Sequence, residues 1–411
     1  MRLKIAYIIP EFPTLTEHFI INEIIDLRRK IDIEVYAIRK GDAINNPSTG
    51  VDVCYCPGIF STQILGVHIA AIANSPRRYI QKLITCIKFN KSPLAILKNI
   101  RNFLLGVYLS SEFKRKGVKH IHSHFALLPT DLAIQASIIS CIPFSFSAHA
   151  HDIYVTPHKI IKKIHAALFI IVCTKSNQIF LDRILQETGY TAEKKIYHIY
   201  HGIDPSRWIS QRTTKPFCNK SKLNILCVGR LVEKKGITYL IDAVKLLNTG
   251  GIVTACTIIG DGPLSGSLKE KVSDSKLQAT VTFTGMLSHE EIKSYYDASD
   301  VFVLPCITCD DGDRDGLPNV LLEAAVMGLP IISTAISAIP ELIEDHETGL
   351  LVPEKDASAI AKAIRILATD AHLQSQLIIA ARNKIQQAFS IQQSTLMLEE
   401  LFFDYTSSSK R

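Results

Sequence analysis

The sequence predicts an α/β protein made of two doubly wound domains, each a parallel sheet with helices on both faces. Its 411 residues suit two domains of about 200 residues better than one compact core. Short apolar runs alternate with amphipathic stretches from end to end, which is typical of repeated βα units. A polar, proline-containing stretch at residues 211–222 interrupts the alternation and has the composition of a linker. We therefore predict an N-terminal domain over residues 1–211, a C-terminal domain over 222–385 and a terminal helix over 386–411.

Apolar runs predict six strands in the first domain, with helices between them. The strands cover residues 4–9, 33–38, 118–122, 144–148, 169–173 and 196–200, and the helices include 16–30, 129–140 and 175–187. Thr14 and Glu17 have the spacing of a capping box, which marks the start of the first helix. Strands that alternate with helices in this way pair in parallel and bury both faces of their sheet.

The second domain repeats the alternation with five strands. They cover residues 224–228, 254–259, 281–283, 301–304 and 331–333, and the helices include 236–247, 264–272, 289–296, 318–327 and 357–367. Residues 372–405 are expected to be helical throughout. Because ligands of doubly wound sheets bind at the carboxyl ends of the strands, the expected binding site is a cleft between the two domains.

Composition favours a cytoplasmic protein with reduced thiols and no membrane span. The apolar stretches at 64–73 and 166–173 are shorter than the ~18 residues that a spanning helix needs. The N-terminus has no basic region followed by a long apolar core, so we expect no secretory signal. The ten cysteines are scattered and lie mostly in predicted strands, as reduced cysteines do in cytosolic proteins.

Positive charge is concentrated in residues 74–119. This segment has eleven lysines and arginines against one glutamate, a net charge of +10, which leaves −3 for the rest of a chain whose net charge is +7. Apolar residues are interleaved with the basic ones, a pattern that favours attachment to an anionic membrane surface, here the cytoplasmic face of an inner membrane. The alternative is an ordinary solvated helix face. Nucleic acid is not the expected partner, because no recognised binding module accompanies the charge.

The run from Asp315 to Glu323 combines a helix start with two carboxylates. Pro318 suits the first residue of a helix, where its missing N–H group is not needed. The N–H groups of residues 317–320 would then lack partners and would suit a diphosphate. Asp315 in the preceding loop and Glu323 on the second turn can accept hydrogen bonds from sugar hydroxyls. The run therefore predicts a site for a nucleotide-activated sugar.

Two cations follow the first strand of the second domain. Arg230 and Lys235 lie on the turn at the strand's carboxyl end, where they can neutralise the diphosphate leaving group of a nucleotide sugar. The alternative is a solvated strand–helix turn.

In combination, several ordered motifs resemble one known family. They are GRLVEKKG (229–236), IIGDGP (258–263), FTG (283–285) and DGLPNVLLEA (315–324) in the second half, with EFPTLTEHFIINEI (11–24), HIHSHFA (120–126), FSAHAHDIY (146–154) and HGID (201–204) in the first. Together they resemble the family 4 retaining glycosyltransferases of the GT-B fold, and in particular the branch of bacterial surface-polysaccharide and colanic acid transferases.

The resemblance implies transfer of a hexose, with retention of anomeric configuration, from a UDP- or GDP-sugar to a growing or lipid-linked glycan. It implies no metal ion and no cofactor. The site would lie between the two domains, the first serving the acceptor and the second the nucleotide sugar. The terminal helix would return towards the first domain.

By position in the motifs, the resemblance also implies roles for individual residues. The catalytic residues would be His149, Arg230, Lys235 and Asp315. The donor-binding residues would be Gly229, Arg230, Lys235, Asp261, Gly262, Met286, Asp315, Gly316, Leu317, Pro318, Asn319, Val320 and Glu323. Acceptor-side residues would be Glu17, His151 and Asp152. Within this set, Glu323 would bind the ribose hydroxyls, Asp315 the sugar hydroxyls, and His149 would face the sugar. Arg230 and Lys235 would bind the diphosphate, and the backbone at Met286 would contact the base.

The chain departs from the family pattern at two places. Asp315 stands where many relatives have glutamate, so this carboxylate is one methylene shorter and reaches different sugar hydroxyls. The loop at residues 10–16 lacks the pair of glycines common in the wider family.

Other metal-site and functional interpretations remain as alternatives. Residues 311–316 match the start of an EF-hand loop, but its twelfth position is Leu322 rather than glutamate. Cys306 and Cys309 form a CxxC pair without the second pair of a zinc site. The histidines at 120, 122, 124, 149 and 151 either surround a metal or line one strand face. The alternative functions are a nucleotide-sugar epimerase of the same fold and a catalytically silent partner that binds sugar nucleotides.

Overall fold

The computed structural model describes residues 2–13, 18–41, 50–87, 93–155, 157–189, 195–208 and 220–408. The chain divides into two compact units. Unit 1 comprises Met1–Cys173, Phe180–Ile199 and Thr395–Arg411, and unit 2 comprises Thr174–Ile179 and Tyr200–Ser394. The whole of the proposed capping box, which includes Glu17, and most of the proposed linker fall outside the described residues.

Unit 1 is built on a parallel sheet. Its strands are β1 Lys4–Phe12, β2 Asp32–Lys40, β3 Val53–Tyr55, β4 His120–His124, β5 Phe144–Ala148, β6 Ile170–Val172 and β7 Ile196–His198. The helices of this part of the chain are α1 His18–Leu27, α2 Thr62–Asn74, α3 Pro76–Ile87, α4 Pro93–Lys116, α5 Leu128–Ser140, α6 Ala150–Tyr154, α7 Pro157–Ala166 and α8 Lys175–Glu187. The strand order is β3-β2-β1-β4-β5-β6-β7, so the chain reverses its direction across the sheet between β1 and β4.

Unit 2 repeats this design. Its strands are β8 Leu223–Val228, β9 Thr254–Ile259, β10 Val281–Gly285, β11 Val301–Leu304, β12 Ile331–Thr334 and β13 Leu350–Val352. Its helices are α9 Ile237–Thr249, α10 Ser265–Asp274, α11 His289–Ala298, α12 Asn319–Met327, α13 Ile339–Leu342, α14 Ala357–Thr369 and α15 Ala371–Ala388, and the chain ends with α16 Ile391–Ser408. The order β10-β9-β8-β11-β12-β13 is that of a Rossmann sheet, with its switch point between β8 and β11.

The predicted fold class is confirmed, because both sheets are parallel and doubly wound. Strands such as β4, β5, β11 and β12 are buried along their whole length, as expected for strands covered by helices on both faces. Unit 2 has one large apolar core, whereas unit 1 has a separate core on each face of its sheet.

The stretch predicted to be helical over 372–405 is interrupted at residues 389–390, where the chain breaks between α15 and α16. Phe389 O accepts a hydrogen bond from Ile203 N at 2.7 Å, and Ile391 N donates to Ile203 O at 3.1 Å. Phe389 is fully buried. This short bridge with residues that are distant in sequence takes the place of helical hydrogen bonds, and no local pattern signals it.

The second half of α16 belongs to unit 1. Thr395 donates to a carboxylate oxygen of Asp26, and the hydroxyls of Tyr405 and Tyr197 lie 2.8 Å apart. The fully buried Phe402 contacts the ring of His122 at a centroid distance of 5.4 Å. The last described residues of the chain are therefore part of the first unit's core.

Two other sequence predictions need correction. The strand predicted at 118–122 is displaced by two residues to His120–His124, because Val118 instead packs in the core ahead of it. Several residues of the basic segment 74–119 that we expected on a surface are core residues of α4, including Phe103 and Leu105, which are 1% and 6% exposed. Only part of that segment is therefore available to a membrane.

No helix among the described residues combines the length and the apolar character needed to cross a membrane.

Candidate functional site

Three loops meet at the switch point of the unit 2 sheet, and two glycines allow their close contact. Gly236, in the loop after β8, has φ +63°, and a Cβ there would lie 1.9 Å from Pro305 O at the end of β11. Gly260, after β9, has φ +135°, and its Cβ would lie 2.0 Å from Gly229 O. The loops are also joined by a hydrogen bond from Ile307 N to Lys234 O at 2.9 Å. Backbone contacts therefore fix the positions of the side chains that these loops carry.

Lys235 and Asp315 form an ion pair between the loops after β8 and β11. Lys235 Nζ lies 2.7 Å from Asp315 Oδ2, and the two side chains are 13% and 16% exposed. The aliphatic part of Lys235 lies over Gly229, where a Cβ would be 3.5 Å from Lys235 Cδ. A residue expected at the phosphates and a residue expected at the sugar thus contact each other directly.

The ion pair determines the charge states of both partners. Burial alone would raise the pKa of Asp315, but the charges of Lys235 and Lys234 outweigh burial and lower it. Burial likewise opposes the charge of Lys235, yet the charge of Asp315 leaves the lysine pKa above its ordinary value. Cys306 Sγ donates a weak hydrogen bond to Asp315 Oδ2 at 3.6 Å. The site therefore holds one full positive and one full negative charge at neutral pH.

Lys234 is a site residue that the motifs did not single out. Its Nζ lies 3.1 Å from Asp313 Oδ1 and 3.7 Å from Asp315 Oδ1. Two lysines thus neutralise carboxylates that an EF-hand interpretation assigned to calcium. Cys306 is fully buried and faces Asp315, a position unlike that of a ligand in an exposed zinc knuckle. The only sequence signal for Lys234 is that it precedes Lys235.

Arg230 is exposed at the end of β8, and none of the described residues forms an ion pair or a side-chain hydrogen bond with it. Asp261 is also exposed, and its Oδ1 accepts a hydrogen bond from Gly262 N at 2.7 Å. Met286 follows β10 and is 60% exposed. These residues follow the carboxyl ends of β8, β9 and β10, the edge at which doubly wound sheets bind their ligands.

Helix α12 starts one residue later than predicted. Pro318 is its N-cap, with φ −64° and ψ 125°, and Asn319 is the first helical residue. The extended ψ of Pro318 places it outside the helix, and Leu321 N donates to Pro318 O at 3.0 Å. The first N–H groups of any helix have no acceptor in their own helix. The predicted arrangement of Gly316, Leu317, Asn319 and Val320 at a helix start is therefore present.

Glu323 is buried on α12, with 8% of its surface exposed. Tyr296 donates a hydrogen bond from its hydroxyl to Glu323 Oε2 at 3.0 Å. Burial raises the pKa of Glu323 to about 7, and the hydrogen bond from Tyr296 only partly opposes this. Tyr296, in turn, is fully buried against Phe302 and Trp208. Tyr296 was missed because nothing in its local sequence indicates a contact with a residue one helix away.

The residues predicted for the acceptor side lie in unit 1. Asp152 is 2% exposed, and its Oδ2 accepts hydrogen bonds from Ala126 N at 2.8 Å and His149 N at 3.2 Å. Asp152 therefore caps α6 and ties together the loops after β4 and β5. His149 is the N-cap residue of α6, its Nδ1 lies 3.4 Å from Cys173 Sγ, and its ring contacts Phe125. His151 is exposed.

The histidines of β4 are buried and hydrogen-bonded within unit 1. His120 and His122 both contact Ser145 Oγ, at 2.7 and 2.8 Å. His124 Nε2 lies 3.2 Å from Glu23 Oε1, to which Tyr7 also donates at 2.9 Å. Burial lowers the pKa of His120 to about 3 and that of His122 well below its usual range. Each of these three rings thus has a serine or glutamate partner on at least one nitrogen, as side chains that line one strand face do.

Comparison with known proteins gives a family match in the second half of the chain and a set of similar relatives. Residues 212–384 match the family model described as glycosyl transferases group 1. Over 168 residues, the chain is 42% identical to the amylovoran biosynthesis glycosyltransferase of Erwinia amylovora, covering 41% of each protein. Over 209 residues, it is 35% identical to a putative colanic acid biosynthesis glycosyltransferase of Escherichia coli K12, covering 51% of this chain and 50% of that protein. The matches span about half or less of these relatives' length.

Solved structures match over almost the whole chain. HepE of Anabaena, in complex with UDP and glucose, superposes with a TM-score of 0.70 at 16% identity, covering 98% of this chain and 100% of that one. Sucrose-phosphate synthase of Thermosynechococcus elongatus gives a TM-score of 0.70 at 17% identity, covering 99% and 100%. At such identities the similarity shows the fold, which is GT-B. Over residues 212–384, the chain is thus similar to the glycosyl transferases group 1 family.

Proposed function

We propose that this protein is a retaining hexosyltransferase that takes a sugar from a nucleotide diphosphate donor and adds it to a bacterial surface glycan. The observation that carries this proposal is the Lys235–Asp315 ion pair beside the start of α12, with the buried carboxylate of Glu323 one turn further along that helix. This arrangement offers cations for phosphate and carboxylates for hydroxyls at one switch point.

Known relatives support both the donor class and the pathway class. The two relatives described above are named for amylovoran and colanic acid biosynthesis, and HepE was solved with UDP and glucose. A relative from Mycolicibacterium smegmatis, 34% identical over 160 residues, is named as a GDP-mannose-dependent mannosyltransferase. We therefore propose a UDP- or GDP-hexose as donor and a growing or lipid-linked glycan as acceptor. All three of these relatives are named as transferases, which favours transfer over epimerisation.

The chemistry that we propose rests on charge rather than on a protein nucleophile. As the bond between sugar and phosphate breaks, negative charge develops on the diphosphate. Arg230, Lys235 and the N–H groups at the start of α12 would stabilise that charge, so no metal ion is required. Asp315 would then orient the sugar through its hydroxyls. The assignment of His149 to the donor sugar and of His151 to the acceptor side rests on the family resemblance.

Donor binding can be tested with a thermal-shift panel of UDP-, GDP- and ADP-sugars. A ligand that binds only the folded state at 100 times its Kd stabilises that state by about 2.7 kcal/mol, so the correct donor should raise the Tm most clearly. The Glu323→Ala variant serves as the control and should lose the shift. A panel without any shift in the wild type would contradict the proposed donor site. Incubation with the best donor alone separates the alternatives, because an epimerase releases an isomerised sugar nucleotide without an acceptor.

We also propose that the protein attaches to an anionic membrane surface through α2 and α3. Among the side chains that the structure describes between residues 60 and 97, the exposed large apolar ones are Phe60, Leu65, Ile69, Ile72, Ile80, Ile84 and Leu97. Arg77 and Arg78 are exposed on α3, and the sequence has no acidic residue from 60 to 97. Apolar side chains flanked by arginines suit the boundary between anionic headgroups and acyl chains.

Vesicle co-sedimentation tests the membrane proposal. The double variant Arg77→Ala/Arg78→Ala should bind phosphatidylglycerol-containing vesicles about thirtyfold more weakly, because each basic residue near such a surface contributes about 1 kcal/mol. Leu65→Glu/Ile69→Glu should lose the part of the binding that resists high salt. Leu246→Glu, at an exposed apolar residue of unit 2, is the matched control and should bind like the wild type. Binding of all these variants to phosphatidylglycerol-containing vesicles as strongly as the wild type would contradict the proposal.

A further inference from the structure

A carboxylate outside the family motifs is held by four hydrogen bonds in unit 2. Glu341, on α13, accepts from Lys175 N at 3.0 Å, Ser176 N at 2.7 Å and the Ser176 hydroxyl at 2.7 Å. The hydroxyl of Tyr200 donates to it at 2.6 Å. Burial raises the pKa of Glu341, but these hydrogen bonds outweigh burial and lower it. Glu341 is therefore an ionised and firmly oriented side chain.

The backbone connects this carboxylate to the proposed diphosphate loop. Glu341 N donates to Ala338 O at 3.0 Å, and Ala338 N donates to Gly316 O at 3.3 Å. The peptide groups of Ala338 thus link α13 directly to the residue that follows Asp315. These two hydrogen bonds connect Glu341 to the loop ahead of α12.

The turn at residues 337–341 includes a residue in a strained backbone conformation. Ser337 has φ +49°, a left-handed conformation that costs free energy for a residue other than glycine. Ser337 O lies 3.0 Å from the Ser176 hydroxyl, which also lies within hydrogen-bond distance of Glu341. The Ser176 hydroxyl shares its one proton between these two acceptors, so the backbone N–H groups of Lys175 and Ser176 and the hydroxyl of Tyr200 are the independent donors to Glu341. Because these bonds fix Glu341 and the turn at residues 337–341, loss of the carboxylate charge would weaken them and let the turn relax.

We propose that Glu341 is a positioning residue for the donor: it holds the turn that fixes the carbonyl of Gly316, and thereby sets the position of the diphosphate-binding loop. This inference rests on the proposed function of that loop. A carboxylate that only caps α8 would contribute to stability without affecting nucleotide affinity, whereas a positioning residue affects affinity in a correctly folded protein.

Calorimetric titration of the full-length chain with UDP and with GDP tests the inference. The Glu341→Gln variant puts an amide against backbone N–H donors and should raise the Kd of the nucleotide that the wild type binds by about tenfold, a typical effect of one lost charge-assisted hydrogen bond. Ser176→Ala removes only the hydroxyl beside Glu341 and leaves the carboxylate charge in place, so it should raise the Kd less, by about threefold. With the matching sugar nucleotide, the KM for the donor should rise more than kcat falls.

Glu344→Gln is the matched control, because Glu344 lies in the same segment and pairs with Lys384 without contacting Ser176. It should keep the wild-type Kd within twofold even where its Tm falls. Wild-type affinity in both Glu341→Gln and Ser176→Ala, with a lowered Tm, would overturn the inference and leave the donor site standing. Should Glu341→Gln not fold, Ser176→Ala decides by the same criterion. A wild type that binds neither nucleotide would overturn the proposed function, and this inference with it.

Discussion

Replacing Lys235 by methionine should abolish most sugar transfer and destabilise unit 2. The variant keeps the aliphatic chain over Gly229 but leaves the buried carboxylate of Asp315 without its nearest cation. Removing one partner of a buried ion pair costs about 3–5 kcal/mol, and the remaining contact to Lys234 at 3.7 Å reduces that cost. Loss of a preorganised charge at the leaving group costs about 10²–10³ in rate. We therefore expect kcat/KM to fall by about three orders of magnitude, measured with saturating acceptor.

The pH dependence of stability distinguishes the ion pair from simple packing. In the wild type the pKa of Asp315 is lowered, so its stabilising contribution is present above the ordinary aspartate pKa and is lost as the pH falls through the lowered value. In Lys235→Met, the unpaired carboxylate favours its protonated form, so the loss of unfolding free energy should grow from pH 4 to pH 7. Denaturant unfolding at several pH values measures this difference.

Two variants serve as controls for Lys235→Met. Lys235→Met/Asp315→Asn removes both charges and should recover much of the stability but none of the activity. Lys234→Met removes the contact of Lys234 Nζ with Asp313 Oδ1 at 3.1 Å. It should lower both the stability and the activity less than Lys235→Met does. A Lys235→Met enzyme within threefold of wild-type activity would show that the leaving group does not use this cation.

The elements that could be predicted from the sequence are those determined by interactions between residues close together in the chain. The strands β5, β9 and β11 and the start of α12 follow from local patterns of apolar residues, glycine and proline, and the structure has them within a residue of their predicted bounds. β3 and β13 have three residues each and were missed, whereas β6 and β7, which are equally short, lie within the longer runs at 166–173 and 196–200 and were predicted. The break after Ala388 was missed because its cause is the hydrogen bonding of Phe389 and Ile391 to Ile203.

The candidate site shows the same limit. The motifs singled out Lys235, Asp315 and Glu323 as candidate site residues. They did not show that Lys235 and Asp315 contact each other, because a sequence motif gives no distance between side chains. Tyr296 and Glu341 lie outside the motifs and act through contacts with residues far away in the sequence. Charge alone also did not show which part of the basic segment is exposed, because several of its residues on α4 are buried in the core.

Replacing Glu323 by glutamine should make the free protein more stable at pH 8 and weaken donor binding. The pKa of Glu323 is raised to about 7, so its favourable contribution is present below the ordinary glutamate pKa and is lost as the pH rises through 7. A difference of one between the folded and unfolded pKa corresponds to about 1.4 kcal/mol, so the wild type loses on the order of 1–3 kcal/mol by pH 8. Glu323→Gln keeps an oxygen for Tyr296 to donate to and avoids that loss. The difference between the two unfolding free energies should therefore be smallest at about pH 4, grow as the pH rises to about 7 and stay level up to pH 8.

The same carboxylate should make donor binding depend on pH. Glu323 Oε2 already accepts from Tyr296, and no described residue donates to Oε1, which leaves that oxygen for ribose hydroxyls. Hydroxyl donors favour the ionised form, so binding lowers the pKa of Glu323 and releases a proton near pH 6.5. With the free pKa at about 7, only about a tenth of the protein is ionised at pH 6, and we expect about tenfold weaker affinity for the nucleotide there than at pH 8. Titration calorimetry in buffers of different ionisation enthalpy measures the released proton. Glu323→Gln should release none and should bind the ribonucleotide and its 2′-deoxy analogue equally, whereas an unchanged proton count in this variant would assign the titration to another group.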